Sequence, residues 1–362
     1  MFSVSRLPAK FLMKEDDEKD RRQVPLDLEI EILTRLPAKS LMKFQCVSKI
    51  WSSIIRSQSF VSSHYAMSST IRSSRFLIAL GASDRCTLVF SSSYECEKSS
   101  SLATNLDNDN TTPTNTLILP CAGPRTFWGY DPVGDQFKAL TMVSHPYWPP
   151  DFLRHEVLTL GGGGGPSSWT RTKVTSPPYF AVTKSVCING IVYYGAWSPR
   201  NRKDPVIMCF DVRFETISFI KAPLPVVCWE GESILIEYKG KLASVARNPY
   251  ADFRSFDLWI LEDVTTHDWS KQTSELPFSL GPGRCMTSPG TNKAGEIIFA
   301  PKTLSAYVEP FYIYYYNVGR KDIRSVRLLG IADDEEFRRR YGITGECYVS
   351  ISPQHVESIA SP

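Results

Sequence analysis

The sequence predicts an α+β multidomain chain: a small N-terminal module of three helices, then a mostly-β domain of propeller type. Three observations predict it. Residues 24–67 carry helix-period apolar patterning, the chain after Arg75 changes to short β-branched and aromatic runs between turn residues, and those runs recur. The recurrence is about 50 residues, the length of a four-stranded propeller blade.

The chain has 362 residues, 42% hydrophobic and 12% aromatic, enough for at least one large core. Lys plus Arg (41) nearly balances Asp plus Glu (38), and a formal charge of +3 gives no electrostatic case for nucleic acid. No apolar run approaches the roughly 20 residues that span a bilayer, and MFSVSRLPAKFLMK lacks the apolar stretch and cleavage site of a secretion signal. The expectation is no nucleic-acid and no membrane partner. Nine Cys, at 46, 86, 96, 121, 187, 209, 228, 285 and 347, contain no C-x-x-C and read as buried thiols in a reducing compartment, the cytoplasm and/or nucleus.

Residues 1–23 read as a disordered extension. They hold RLPAKFLMK at 6–14, which recurs as RLPAKSLMK at 35–43, and then the charge run KEDDEKDRRQ. The first copy has no helix pattern before it and charged residues after it, so it is a partial duplicate without the surroundings of the second.

The second copy sits in VPLDLEIEILTRLPAKSLMKFQCVSKIWSSIIRSQSF. Pro25 suits a first helical position, Asp27, Glu29 and Glu31 put negative charge at the positive helix end, and Pro37 stops the helix after Leu36. At about 100° per residue, Leu26, Ile30 and Leu33 form one apolar face and Leu28, Ile32 and Leu36 another, roughly 130° away. One face can enter a local core and the other needs cover. Leu41, Met42, Phe44, Val47, Ile50, Trp51, Ile54 and Ile55 add more apolar surface than three short helices can hide. Either the β domain covers this surplus or another protein does.

From Arg75 onward, RFLIAL, CTLVF, TLILP, VCINGIVYYGAW, VIMCFDV, ILIEYKGKLASVA, DLWIL, EIIFAP and FYIYYYNV read as strands. Asn189-Gly190, Lys239-Gly240 and Ala294-Gly295 read as tight turns between strands, and the stretch 91–116 and glycines 161–165 as loops. A two-sheet sandwich is the structural alternative. Asp333 to Arg340 reads as an exposed helical turn with Asp334–Arg338 and Glu336–Arg340 pairs, and Tyr312, Tyr314, Tyr315 and Tyr316 as sheet packing.

The residue types narrow the choice. Pro25-Leu26-Asp27-Leu28, Glu31-Ile32-Leu33, Arg35 through Leu41, Phe44, Cys46-Val47-Ser48-Lys49 and Trp51 closely resemble the F-box, the short module by which substrate receptors dock on the Skp-type adaptor of a cullin-RING ubiquitin ligase. The β region resembles, more loosely, the kelch-like F-box-associated domain of the large plant family of such receptors. The resemblance there lies in Cys187-Ile188-Asn189-Gly190, Tyr193-Tyr194, Cys209-Phe210-Asp211-Val212, Glu237 to Ala243, Leu258 to Asp263 and His267-Asp268-Trp269. Two features depart from it: the inserted loops, and Trp169-Thr170 where that family has Trp-Arg.

The resemblance implies an F-box at 24–67, an F-box-associated β-propeller at 75–350 and a C-terminal tail at 351–362. It implies an adaptor interface of Pro25, Leu26, Ile30, Leu33, Leu36, Pro37, Leu41, Phe44, Val47, Lys49 and Trp51, with Phe44 and Trp51 as anchors and one of Leu33 and Leu36 facing inward. The implied role is substrate-recognition subunit of an SCF-type E3 ligase, reaching cullin and RING subunits through the adaptor and holding an unknown protein substrate. Such a receptor is not an enzyme. There is no G-x-S-x-G, His155-Glu156 has no second His four positions on, and the histidines at 64, 145, 155, 267 and 355 lack metal-ligand spacing, so no catalytic residue, metal or cofactor is expected. The alternative is a stand-alone propeller binding protein or hydrolase whose helices only pack on it.

Overall fold

The computed structural model describes residues 25–36, 38–71, 75–81, 87–92, 126–134, 136–143, 152–160, 170–198, 204–228, 233–328, 335–340, 343 and 345–355. The chain forms two compact units, one within residues 1–72 and one within residues 73–355. The duplicate phrase at 6–14, the greater part of the 91–116 stretch, the glycine run and Trp169 lie outside the described residues.

The first unit contains α1 (Leu26–Thr34), α2 (Ala38–Phe44), α3 (Lys49–Arg56) and α4 (Gln58–Ile71). Pro25 stands at the N-cap of α1 rather than inside it, and its carbonyl accepts from the amides of Leu28 (2.9 Å) and Glu29 (3.1 Å). The helix ends at Thr34, two residues earlier than expected. The amides of Arg35 and Leu36 close short-range bonds on Ile32 O and Leu33 O, as a residue next to a proline is pushed out of α geometry. The three expected helices are α1 to α3, and α4 extends the module after a break at Ser57. Leu33, Leu41, Ile55 and Phe60, one from each helix, form a sealed core.

The second unit begins with β1 (Arg75–Gly81) and β2 (Thr87–Ser92). Four strands then make a complete antiparallel sheet in chain order: β3 (Thr126–Asp131), β4 (Gln136–Met142), β5 (Leu153–Leu160) and β6 (Thr170–Ser176). The second sheet is β7 (Phe180–Ile188), β8 (Ile191–Trp197), β9 (Pro205–Asp211) and β10 (Thr216–Lys221). The third is β11 (Ile234–Tyr238), β12 (Lys241–Ala246), β13 (Ser255–Asp263) and β14 (Asp268–Glu275). The fourth comprises β15 (Met286–Thr291), β16 (Ile297–Pro301), β18 (Phe311–Asn317) and β19 (Asp322–Leu328), and β17 (Thr303–Leu304) leaves it for a fifth. A short helix, α5 (Glu335–Arg340), precedes the last strand, β20 (Cys347–His355), which runs past the boundary at 350 set from sequence.

The fifth sheet has the order β17-β20-β1-β2, so the last strand pairs with the first. This joins the two ends of the domain through backbone hydrogen bonds and makes a five-bladed propeller. Its first strands meet one another, β3 with β7, β7 with β11, and β11 with β15. Five separate sheets exclude the two-sheet sandwich. Apolar clusters fill the spaces between consecutive sheets: Leu140, Val157 and Tyr194 between first and second, Ile207 and Leu242 between second and third, Phe256 and Phe299 between third and fourth, Ile298 and Leu80 between fourth and fifth. Packing is tight enough that a Cβ on Gly129 would sit 2.4 Å from methyls of both Val192 and Val212.

Antiparallel order inside each sheet sends the connections after first and third strands to one end of the propeller, and those after second and fourth strands to the other. Asn189-Gly190 and Lys239-Gly240 are two-residue turns at the first end, with positive φ at both positions (49° and 82°, 51° and 77°), as such hairpins require. The longer described connections, such as 222–228, 247–254 and 276–285, leave from the second end.

Several expectations change in detail. Arg338 is buried rather than paired on the surface: its guanidinium donates to the carbonyls of Ser305 and Ala306, while Phe337 enters the core between the fourth and fifth sheets. Tyr315 and Tyr316 are buried and Tyr312 and Tyr314 half-buried, which is sheet packing as read from the alternation. Cys46 and Cys285 are exposed, against the expectation of buried thiols, whereas Cys209 and Cys347 are buried.

His155 on β5 is 1% exposed, with Nε2 2.8 Å from Ser176 Oγ and its ring stacked 5.8 Å from Tyr179, whose hydroxyl meets that of Tyr194 at 2.5 Å. Burial pushes the imidazole pKa down to about 4 from 6.5. The folded state therefore holds the neutral ring, and its contribution is complete above pH 6.5 and lost as pH falls toward 4. Chemical denaturation between pH 7 and 4.5 is expected to show stability declining by up to about 1.4 kcal/mol per pH unit from this group, a component absent in His155→Gln. An unchanged slope in that variant would remove His155 as the cause. Gly129→Ala is expected to cost about 1–3 kcal/mol in the same measurement at pH 7, through overpacking against Val192 and Val212.

Candidate functional site

Trp51 organises the helical unit. Ser48 caps α3 with extended backbone (φ −148°, ψ 153°), and its hydroxyl accepts from the Trp51 amide at 3.0 Å, which fixes the helix start three residues before the indole. The indole edge meets the Phe44 ring at 5.3 Å and 83°, and its Nε1 donates to Glu29 Oε2 at 3.0 Å. One side chain thus ties together α1, the end of α2 and α3. The segment that follows α1 is held by α4: buried His64 places Nε2 3.0 Å from the carbonyl of Leu36, two residues past the end of the helix, and stacks on Phe60.

This framework decides which face of α1 turns inward. Leu33 is 2% exposed and Leu41 fully buried, so both serve the module's own core and have no surface to offer a partner in this conformation. Ile30, Leu36, Phe44 and Trp51 are half-buried against that core. Pro25, Leu26, Val47 and Lys49 are exposed, and Pro37 lies outside the described residues. Of the Leu33 and Leu36 pair, Leu33 is the one that faces inward.

Within α1 to α3, four exposed large apolar residues stand outside the interface set taken from sequence: Leu28 (49% exposed), Ile32 (56%), Met42 (55%) and Ile50 (65%). With Leu26 and Val47 they give α1, α2, the α2–α3 turn and α3 a set of solvent-facing apolar side chains. The second face of α1, Leu28 and Ile32, was visible in the periodicity, but only the packing of Leu33 on Leu41 and Ile55 shows which face is sealed. Lys49 and the ion pair of Glu31 with Arg35 (2.6 Å) add charge beside these side chains. Apolar contact flanked by charge suits a protein surface more than a small molecule.

Among the described residues no group of three His, Cys, Asp or Glu is placed to hold a metal, and no helix is long and apolar enough to cross a membrane.

Residues 23–63 match the family described as "F-box domain", and residues 100–356 match "F-box associated beta propeller domain". F-box protein At1g30790 of Arabidopsis thaliana is 48% identical over 93% of this chain and 97% of its own length. F-box protein DOR of the same plant is 31% identical over 85% of this chain and 88% of its own. F-box protein At3g61340, also from Arabidopsis thaliana, is 31% identical over 88% and 90%. The helical unit with its exposed apolar ridge and the five-bladed domain behind it in sequence therefore belong together as the two parts of one family, and this chain is a member of the F-box proteins that carry an F-box associated β-propeller.

Proposed function

We propose that the chain is the substrate-recognition subunit of an SCF-type cullin-RING E3 ubiquitin-protein ligase, acting in the cytoplasm and/or nucleus. The helical unit docks on a Skp-type adaptor and through it joins the cullin and RING subunits. The propeller holds a protein substrate near the ubiquitin-charged enzyme. Rate enhancement then comes from raised effective concentration, and the receptor itself forms and breaks no covalent bond.

The observation that carries this reading is the division of apolar side chains in residues 25–56. Leu33, Leu41 and Ile55 close a core, yet Leu28, Ile32, Met42, Val47 and Ile50 remain in solvent. Fully burying an exposed large apolar side chain is worth about 1.5–3 kcal/mol, and covering these half-exposed ones about half of that each, so an apolar partner surface gains by seating there. Trp51 and Phe44 stiffen the ridge from behind. Their truncation would weaken docking by disordering it as well as by losing contact.

The test is co-purification of the full chain with a Skp-type adaptor. Ile32→Asp with Ile50→Asp is expected to reduce adaptor recovery more than about tenfold, with folding stability changed by no more than about 0.5 kcal/mol. Leu33→Ala is expected to destabilise the helices by about 2–5 kcal/mol and to lose the adaptor for that reason. Undiminished recovery by the double variant would remove the ridge from the interface.

A further inference from the structure

A cavity of about 510 Å³ lies in the propeller between the second and third sheets. Its position in the topology is informative. It is bounded by the end of β8, residues 224–228 after β10, and the ends of β12 and β13 with Arg247 and Asn248 between them. All of these belong to the end that carries the connections after second and fourth strands, opposite the two-residue hairpins. Variable connections set on a rigid sheet framework are where binding surfaces are usually built.

The two walls differ in chemistry. One comes from β8 and the 3-10 turn at Leu224–Val226: Trp197 and Val227 are buried in its depth, while Leu224, 62% exposed, and Pro225 stand at its mouth. The other comes from β12 and β13 and presents Asn248, Ser255 and Asp257. Both walls are held rigidly. Ser244 donates to the Val226 carbonyl at 3.1 Å and anchors the turn on β12. Arg247, also in the lining, donates through Nε to Gly283 O and through Nη2 to Met286 O, each at 2.8 Å, tying the third sheet to the start of the fourth. Asp257 accepts from Thr273 Oγ1 at 2.6 Å and pairs with Lys271 Nζ at 2.9 Å.

We propose that this cavity is the substrate site of the propeller, taking an extended peptide segment of a protein. One bulky apolar or aromatic side chain inserts against Trp197 and Leu224, and the segment's polar groups hydrogen-bond along Asn248, Ser255 and Asp257. The volume falls in the range of ligand pockets, and a wide apolar side chain at the mouth favours a segment that continues beyond the cavity over an enclosed small molecule. This assignment rests on the receptor reading for the word substrate, but the peptide site itself stands on the cavity.

The test is a random peptide library displayed on phage and panned against the full-length chain, with enriched peptides measured by fluorescence anisotropy. The expected consensus has one bulky apolar anchor. Leu224→Asp and Ser255→Trp, both at exposed rim positions, are expected to raise Kd at least about tenfold. Phe214→Asp, at an exposed turn on the opposite end, is expected to leave it unchanged. Adaptor recovery is recorded for the same preparations and is expected to be equal in all. Failure to enrich saturable binders, or binders indifferent to both rim variants, would overturn the site, as would enriched binders with no apolar anchor. Loss of adaptor recovery in the wild type, with peptides still bound at the rim, would sink the ligase reading and leave the peptide site standing.

Discussion

A nine-residue helix with apolar side chains on two sides can seal only one of them, and α1 is such a helix. Leu33 enters the core with Leu41, Ile55 and Phe60, which turns Leu28 and Ile32 outward. The contacts of α3 and α4 are arranged around that core. Trp51 lies against Phe44 and is tethered to Glu29 because α3 must pack on the same side as Leu33, and His64 reaches the Leu36 carbonyl because α4 covers the far end of that core. Such a small unit buries too little surface to close around all its apolar residues, so a ridge facing solvent is the geometric remainder of making a core at all.

The propeller solves a different problem. Each four-stranded sheet has two faces and no partner inside itself, so stability depends on neighbours, and the ring needs a last neighbour for its first sheet. Pairing of β20 with β1 supplies it and joins residues far apart in sequence. The resulting frame is tightly packed between sheets, as the space around Gly129 shows. A closed ring with its longer connections at one end, joined in sequence to a separate helical unit, leaves two distinct surfaces for the two contacts the proposed function requires. That division of labour fits a receptor whose chemistry is placement.

Much of this could be read from sequence because the signals are local. Helix period over 24–56, hairpin turns at Asn189-Gly190 and Lys239-Gly240, and strand alternation in FYIYYYNV all depend on residues within one or two elements. The number of sheets could not, because closure pairs residues 75–81 with residues 348–355, and no short-range pattern records that. The exposed apolar ridge was legible in part. Periodicity gives two faces of α1 but not their orientation: packing buries Leu33 and Leu41 and leaves Leu28, Ile32, Met42 and Ile50 in solvent, which no local pattern separates. Arg338 shows the same limit: acid-to-Arg spacing suggested surface pairs, and only the tertiary position of α5 gives it the carbonyls of Ser305 and Ala306.

The central claim is that the outward ridge of residues 26–50 is covered by an adaptor protein. Hydroxyl-radical footprinting of the full chain, alone and with a purified Skp-type adaptor, measures this at the side chains themselves. The account predicts strong labelling of Leu28, Ile32, Met42 and Ile50 in the free chain, falling several-fold in the complex, with the exposed propeller residues Tyr307 and Tyr348 labelled equally in both. Ridge residues that are unlabelled in the free chain, or labelled equally with and without the adaptor, would contradict it.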